Sequence, residues 1–298
     1  MTAPFAGPDE VRRRFDDADY LTDDGLATAV HLSLVLGLPL LLEGEPGVGK
    51  TSAAKALAHM LSSPLVRLQC YEGLTVGEAM YEWNYQRQLL AIRLAESRGD
   101  RLADADLFTE EFLQERAILR CVRHRGPTPP VLLIDEIDRA DDEFEALLFE
   151  FLGEGSVTVP ELGTFTAARP PIVVLTSNRS RDLHDALRRR CLYHWIEFPS
   201  PARAVDILRR RVPGATDALI TSAADFVGTA RRLDLDKAPG MAETINWVAA
   251  LSVLGASELV RVDIERSLGA LAKTPDDREL LLSALGADGH LTVGSAGT

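Results

Sequence analysis

The stretch "LLLEGEPGVGKTSAAKALA", Leu40 to Ala58, decides the fold. It opens as a short apolar strand. "GEPGVGKT" (Gly44 to Thr51) then fits the spacing G-x-x-x-x-G-K-[ST], and "KTSAAKALAHML" continues as an Ala- and Leu-rich helix. Between strand and helix the chain must turn back around an anion. Gly44, Gly47 and Gly49 permit positive φ and close backbone approach, so that N–H groups point inward at a phosphate. The helix adds the positive end of its dipole. The nucleotide-binding run is Gly44, Glu45, Pro46, Gly47, Val48, Gly49, Lys50, Thr51 and Ser52. Lys50 neutralises β- and γ-phosphate oxygens, and the Thr51 hydroxyl is a ligand for Mg²⁺.

A phosphate loop alone does not distinguish a kinase, a GTPase or a motor. "VLLIDEID" (Val131 to Asp138) narrows the choice. Asp135 ends a strand that is apolar on both faces, the place where Mg²⁺ is held directly or through water. Glu136 follows at once, where a carboxylate can activate an attacking water. A GTPase would carry D-x-x-G after this strand and N-K-x-D later. Neither is present, so ATP with Mg²⁺ is the expected ligand pair. A later strand, "PIVVLTSN" (Pro171 to Asn178), places Asn178 beside the Asp135 carboxylate, where its amide can orient the water. The plainer reading of Asn178 is an ordinary turn residue.

Five segments read as strands: "LPLLLE", "PLVRLQC", "PVLLID", "PIVVLTSN" and "LYHWIEF". They alternate with helices, which predicts an α/β fold with a parallel sheet. "LTDDGLATAVHLSLVLG" reads as a helix capped by Thr22 or Asp23 and stopped by Gly37. "DLFTEEFLQERAILRCVR" (Asp106 to Arg123) reads as one helix, and "DDEFEALLFEFLG" as another that begins at Asp141 and ends at Gly153. "GSVTVPELGTFTA" alternates around "PELG", which predicts a hairpin. After "FPSPARA" only helical segments follow. The expected organisation is a loose arm over 1–20, a nucleotide-binding domain over 21–200, a small helical domain over 201–285, and a frayed tail over 286–298.

The 298 residues carry a formal net charge of −13. That balance disfavours nucleic acid or an anionic membrane as the main partner, since both need a basic surface. Cys70, Cys121 and Cys191 are far apart and odd in number, and read as reduced, buried thiols. The longest apolar run, Leu32 to Leu42, is too short to span a bilayer and is broken by Gly37 and Pro39. With no signal-peptide core at the N-terminus, a cytoplasmic location without membrane insertion is expected.

Together, "LLLEGEPGVGKT", "VLLIDEIDRADDEFEALLFEFL", "VVLTSN" and "DALRRRCLYHWIEFPSP" resemble the AAA+ ATPases, and within them the MoxR family. "RRRCLYHWIEFPSP" and "KAPGMAETINW" look most like the branch that includes CoxD, the ATPase of carbon monoxide dehydrogenase maturation. The resemblance covers residues 20 to 285. It implies an αβα sandwich with a five-stranded parallel sheet, an all-helical lid, and a ring, a hexamer, with ATP at subunit interfaces. It also implies a chaperone-like role on a client protein, beside a partner carrying a von Willebrand factor A domain. For a CoxD-like protein the client would be a molybdenum hydroxylase receiving its metal cofactor. An ATP-gated switch without motor activity is the competing expectation, and a nucleic-acid-dependent ATPase a third.

On the family pattern, Asn178 is sensor 1. The sensor 2 arginine is missing: Met241 stands in its place within "KAPGMAET", and Arg231 or Arg232 is a possible substitute. "DALRRRC" (Asp185 to Cys191) matches the arginine-finger segment. Three arginines on successive helical positions point about 100° apart, so at least one is free to leave the domain. By position Arg190 resembles the finger best and Arg189 second. "YEGLTVGEAMYEWNYQRQ" (Tyr71 to Gln88) matches a family insertion and holds four of the chain's eight tyrosines and tryptophans. Alternation puts Tyr81, Trp83 and Tyr85 on one face, either as a protein contact or as core packing.

Overall fold

The computed structural model describes residues 5–286, 289 and 291, without the side chain of Glu150. The expected tail falls largely on 287, 288, 290 and 292–298, outside the described residues. The chain groups into two compact units. One holds Met1–Glu43 and Lys50–Trp195, the other Gly44–Gly49 and Ile196–Thr298.

The first unit is built on a five-stranded parallel sheet. Its strands are β1 (Leu40–Glu43), β2 (Leu65–Gln69), β3 (Val131–Asp135), β4 (Ile172–Ser177) and β5 (Leu192–Trp195). Their order across the sheet is β2-β3-β4-β1-β5, and every pairing is parallel. All four residues of β1 and all five of β3 are buried, as strands covered on both faces require. Leu41, Leu132, Ile134, Val173 and Leu175 share one apolar cluster with Ile118, Leu119, Phe144 and Leu148 of neighbouring helices. Their alternate neighbours point to the other face. There the helix Lys50–Met60 packs on β3 and β4, and Asp24–Leu36 on β1 and β5. Because the strands are parallel, the residues after Glu43, Asp135 and Ser177 all emerge at one end of the sheet.

Several local expectations hold. The helix Asp24–Leu36 is capped by the Asp23 side chain and ended by Gly37 in the left-handed region, and Ser156–Val159 with Gly163–Thr166 forms the hairpin. Others fail, each for a reason of packing. Residues 8–17 are a helix rather than a loose arm, since Val11 and Phe15 lie four apart and are fully buried. The single helix over 106–123 is three pieces: Asp104–Leu107, an extended Leu113–Glu115, and the helix Ala117–Val122. Leu113–Glu115 pairs antiparallel with Tyr81–Trp83, and that ladder overrides the helical spacing. The helix that starts after Asp141 runs through Gly153 to Glu154, and Gly155 at φ 63° ends it. Trp83 is buried edge-on to Phe108, Tyr81 is half buried, and Tyr85 opens an exposed helix, so the three aromatics do not form one face.

The second unit is helical from Pro201 on. Its principal helices are Pro201–Arg211, Asp217–Ala230, Met241–Val253, Arg261–Ser267 and Pro275–Ala284. Ser200, Thr216 and Thr274 cap three of them with their hydroxyls. Trp247 is the largest side chain of this core, and its indole N–H donates to Ser267 Oγ at 2.7 Å. Among the described residues no helix is long and apolar enough to cross a membrane.

Candidate active site

The backbone of the loop after β1 has the conformation that the glycine spacing requires. Gly44, Gly47 and Gly49 have φ of 159°, 78° and 105°. A Cβ at Gly47 would also meet the Glu243 carboxylate at 2.9 Å and Gly240 Cα at 3.1 Å, so the residue is held to glycine by space as well as by φ. Glu45 and Pro46 are exposed, Val48 is buried, and Ser52 faces solvent on the helix. Lys50, the first residue of that helix, is only 6% exposed.

Two elements bring Thr51 and Asp135 together. Thr51 lies in the first turn of the helix and Asp135 ends β3. The Thr51 hydroxyl donates to Asp135 Oδ1 at 2.9 Å, with Oδ2 at 3.2 Å. This is a hard-oxygen pair. Mg²⁺ typically takes one or two such protein ligands and completes its shell with water and phosphate oxygens.

Asp135 is 2% exposed and has further partners. The Thr176 hydroxyl donates to Oδ1 at 2.6 Å, and Arg67 donates to Oδ2 from Nε at 3.0 Å and Nη2 at 2.6 Å. Thr176 is fully buried in β4 and also accepts the Glu136 backbone N–H at 2.9 Å. One hydroxyl therefore holds the Asp135 carboxylate and the next residue's backbone. Sequence reasoning passed over both Thr176 and Arg67. For Thr176 the available signal was a polar residue inside a strand that is otherwise buried and apolar, which must have a partner.

Glu136 itself sits at φ 56°, ψ 51°, in the left-handed region that costs a non-glycine residue about 1–2 kcal/mol. The turn carries its carboxylate out of the strand direction, where it meets Arg139 Nη1 at 3.2 Å. Asn178 lies half-buried just past β4. It is Thr176, just past the Ile134–Leu175 pair of the two strands, that touches the Asp135 carboxylate. The Asn178 backbone instead helps hold Asp138, with Ser180 donating to that carboxylate from N at 2.8 Å and Oγ at 2.7 Å. Burial disfavours the ionised form of Asp138, but these donors outweigh it and the net direction of its pKa is downward.

The arginine triplet separates as helical geometry demands. Arg188 turns inward to Glu43, which is 1% exposed, with Nη2 at 2.8 Å from Oε1. Arg190 lies over the Phe149 ring at 3.6 Å and donates to the Phe149 carbonyl at 2.7 Å. Arg189 is exposed. All three cysteines are free, and burial pushes each thiol up to about 12.

In the second unit, the Gly47 carbonyl accepts backbone N–H groups of Met241 at 3.0 Å and Ala242 at 3.3 Å. Met241 contributes its backbone there, while its side chain is buried. Arg231 bonds Glu45 Oε2 and the Pro239 carbonyl, and stacks over Phe198 at 4.0 Å. Arg232 donates to Thr229 Oγ1 at 3.0 Å.

A family profile described as AAA domain (dynein-related subfamily) matches residues 39–191, half of the chain and four of the five sheet strands. The chain belongs to this AAA ATPase family. It is also 26% identical over 254 residues to the replication factor C small subunit of Aeropyrum pernix, a match covering 84% of this chain. The chain spans 62% of that relative's length. Among solved structures, a RuvB variant of Thermotoga maritima aligns over 97% of this chain and 74% of its own, at 18% identity and TM-score 0.48. The T. maritima RuvB Holliday junction branch migration motor aligns over 95% and 72%, at 18% identity and TM-score 0.45.

Proposed function

We propose that this AAA protein hydrolyses ATP with Mg²⁺ and uses the cycle to remodel or mature a client protein, as a MoxR-type machine of the CoxD-like branch. The observation that carries the hydrolytic reading is the Thr51–Asp135 pair at 2.9 Å with Glu136 directly after it. The glycine loop cradles the phosphates and Lys50 neutralises them. Thr51 and Asp135 would hold Mg²⁺, which supplies charge neutralisation on the β- and γ-phosphates when bound. Glu136 takes the proton of the attacking water, and Asn178 helps orient that water.

In a ring, hexameric on the family pattern, an arginine from the neighbour would complete the site. Arg189 suits this role better than Arg190, because Arg190 is engaged by Phe149 and Arg189 is exposed. Arg231 is the better substitute for the missing sensor 2 arginine, since it already reaches Glu45 of the loop. A von Willebrand factor A partner, a molybdenum-hydroxylase client and the helical unit's role as a lid belong to the same proposal. So does a cytoplasmic setting, which three free thiols support.

The second reading, an ATP-gated switch, draws on two facts. Glu136 is paired with Arg139, and on the family pattern Met241 stands where the sensor 2 arginine would be. Turnover separates the two readings. The machine is expected to release phosphate steadily and faster with client, Lys50→Ala to lose nucleotide binding, and Glu136→Gln to bind normally with turnover down by about 10²–10⁴. A wild-type protein that binds ATP tightly without turning it over, with or without client, is the switch.

A further inference from the structure

Asp135 is buried, yet a side chain from the sheet's surface edge reaches it. Arg67 lies on the edge strand β2, in register with Leu133, while Gln69 on the same strand is in register with Asp135. Both Arg67 contacts fall on one carboxylate oxygen, Oδ2, at 3.0 Å and 2.6 Å. The Arg67 side chain is 47% exposed, and its Nη2 also bonds the Gln69 side-chain oxygen. Oδ1 is taken up by Thr176 at 2.6 Å and Thr51 at 2.9 Å.

A carboxylate offers about four acceptor positions. Two N–H groups of Arg67 and one O–H each from Thr51 and Thr176 already fill them, so it has no room for a metal ion or a metal-bound water unless a donor leaves. Thr176 is locked in the sheet interior and Thr51 in the first turn of a helix. Arg67 has a long stem, open solvent beside it, and in Gln69 a partner it keeps after releasing Asp135. A guanidinium and a divalent cation also repel each other across one shared oxygen.

We propose that Arg67 competes with Mg²⁺ for Asp135. The guanidinium caps the carboxylate, gives up Oδ2 as Mg²⁺-nucleotide is taken up, and so sets the metal concentration at which nucleotide binds. This rests on reading Asp135 as the metal-holding residue. A permanent structural ion pair would have the same distances but would leave metal dependence untouched.

The test titrates Mg²⁺ into the full chain with a fluorescent, non-hydrolysable ATP analogue, and reads the half-saturating Mg²⁺ concentration. Arg67→Gln is expected to lower it by roughly tenfold, the scale of removing one unit charge beside a divalent cation in a partly exposed site. Arg67→Lys keeps the charge and loses the fork, so it is expected to shift in the same direction by less. Thermal unfolding confirms that each variant is folded. If Arg67→Gln does not fold, Arg67→Lys carries the test alone. An unchanged or higher Mg²⁺ requirement in the folded variant overturns the competition while leaving the metal site standing. A wild-type protein that binds the analogue with no Mg²⁺ dependence removes the metal role of Asp135 and the competition together.

Discussion

Replacing Thr176 with Val tests whether one hydroxyl organises the hydrolytic residues. The shape of the side chain is kept, so no cavity opens, and the only loss is Oγ1. That atom donates to Asp135 Oδ1 at 2.6 Å and accepts Glu136 N–H at 2.9 Å. A hydrogen bond to a carboxylate is worth about 2 kcal/mol, and an unpaired N–H in a partly exposed turn costs about 1 kcal/mol. Thr176→Val should therefore destabilise by roughly 3 kcal/mol, a large part of the 5–15 kcal/mol typical of a domain. With an m-value near 2 kcal/mol/M the urea midpoint would fall by about 1.5 M. The same change frees the left-handed turn that aims Glu136, which is strained without its anchor. Turnover should fall by about 10² or more while nucleotide affinity, held mainly by the loop and Lys50, changes little. Thr176→Ser restores the hydroxyl and should recover most of both. A Thr176→Val protein with a wild-type urea midpoint, or with turnover within twofold of wild type, refutes the role assigned to this hydroxyl.

Two further outcomes follow from the geometry. Arg189→Ala is expected to bind ATP normally and lose most turnover if Arg189 is the residue given to a neighbour, whereas Arg190→Ala should mainly destabilise the helix Asp142–Glu154. An equimolar mixture of Arg189→Ala with Glu136→Gln should then recover part of the activity, and a mixture as inactive as its components, in rings shown to be mixed, excludes Arg189. The thiols provide a pH test. Each thiol holds its proton in the folded chain until about 12, against about 9 when exposed. The folded state therefore binds more protons between these values. The contribution is fully present below pH 9 and lost as pH rises towards 12. Urea midpoints at pH 8 and pH 10.5 should diverge less in a variant with all three cysteines changed to Ala than in wild type.

The sequence by itself determined the central sheet and its phosphate loop. The runs Leu40–Glu43 and Val131–Asp135 are buried throughout, as the central strands of a parallel sheet must be, and the other runs alternate with helices around them. The Gly44, Gly47 and Gly49 spacing is legible because φ is a property of the local chain. Asp135 at the end of its strand, with Glu136 in the turn after it, was legible in position because carboxylates that follow an apolar run mark where the buried strand stops. The helix over 8–17 was missed because a Pro-rich, charged stretch looks like a linker until Val11 and Phe15 find a surface to cover. The break within 106–123 was missed because an antiparallel partner, Tyr81–Trp83, lies some thirty residues upstream.

Register was the other matter that only the tertiary structure decided. In sequence Asn178 was the polar residue nearest the end of its strand. The parallel pairing of β3 with β4, which sets Leu175 against Ile134, instead brings the Thr176 hydroxyl, two residues earlier, onto the Asp135 carboxylate. Likewise three consecutive arginines are equivalent on paper. The folded chain gives Arg188 to Glu43 and Arg190 to Phe149, and leaves Arg189 to solvent. Arg67 on Asp135 and Arg231 on Glu45 join residues 68 and 186 positions apart. Local propensity carries no information over such separations. Such pairs are chosen by the packing that brings strand ends and helix ends together, and that packing is a property of the whole fold.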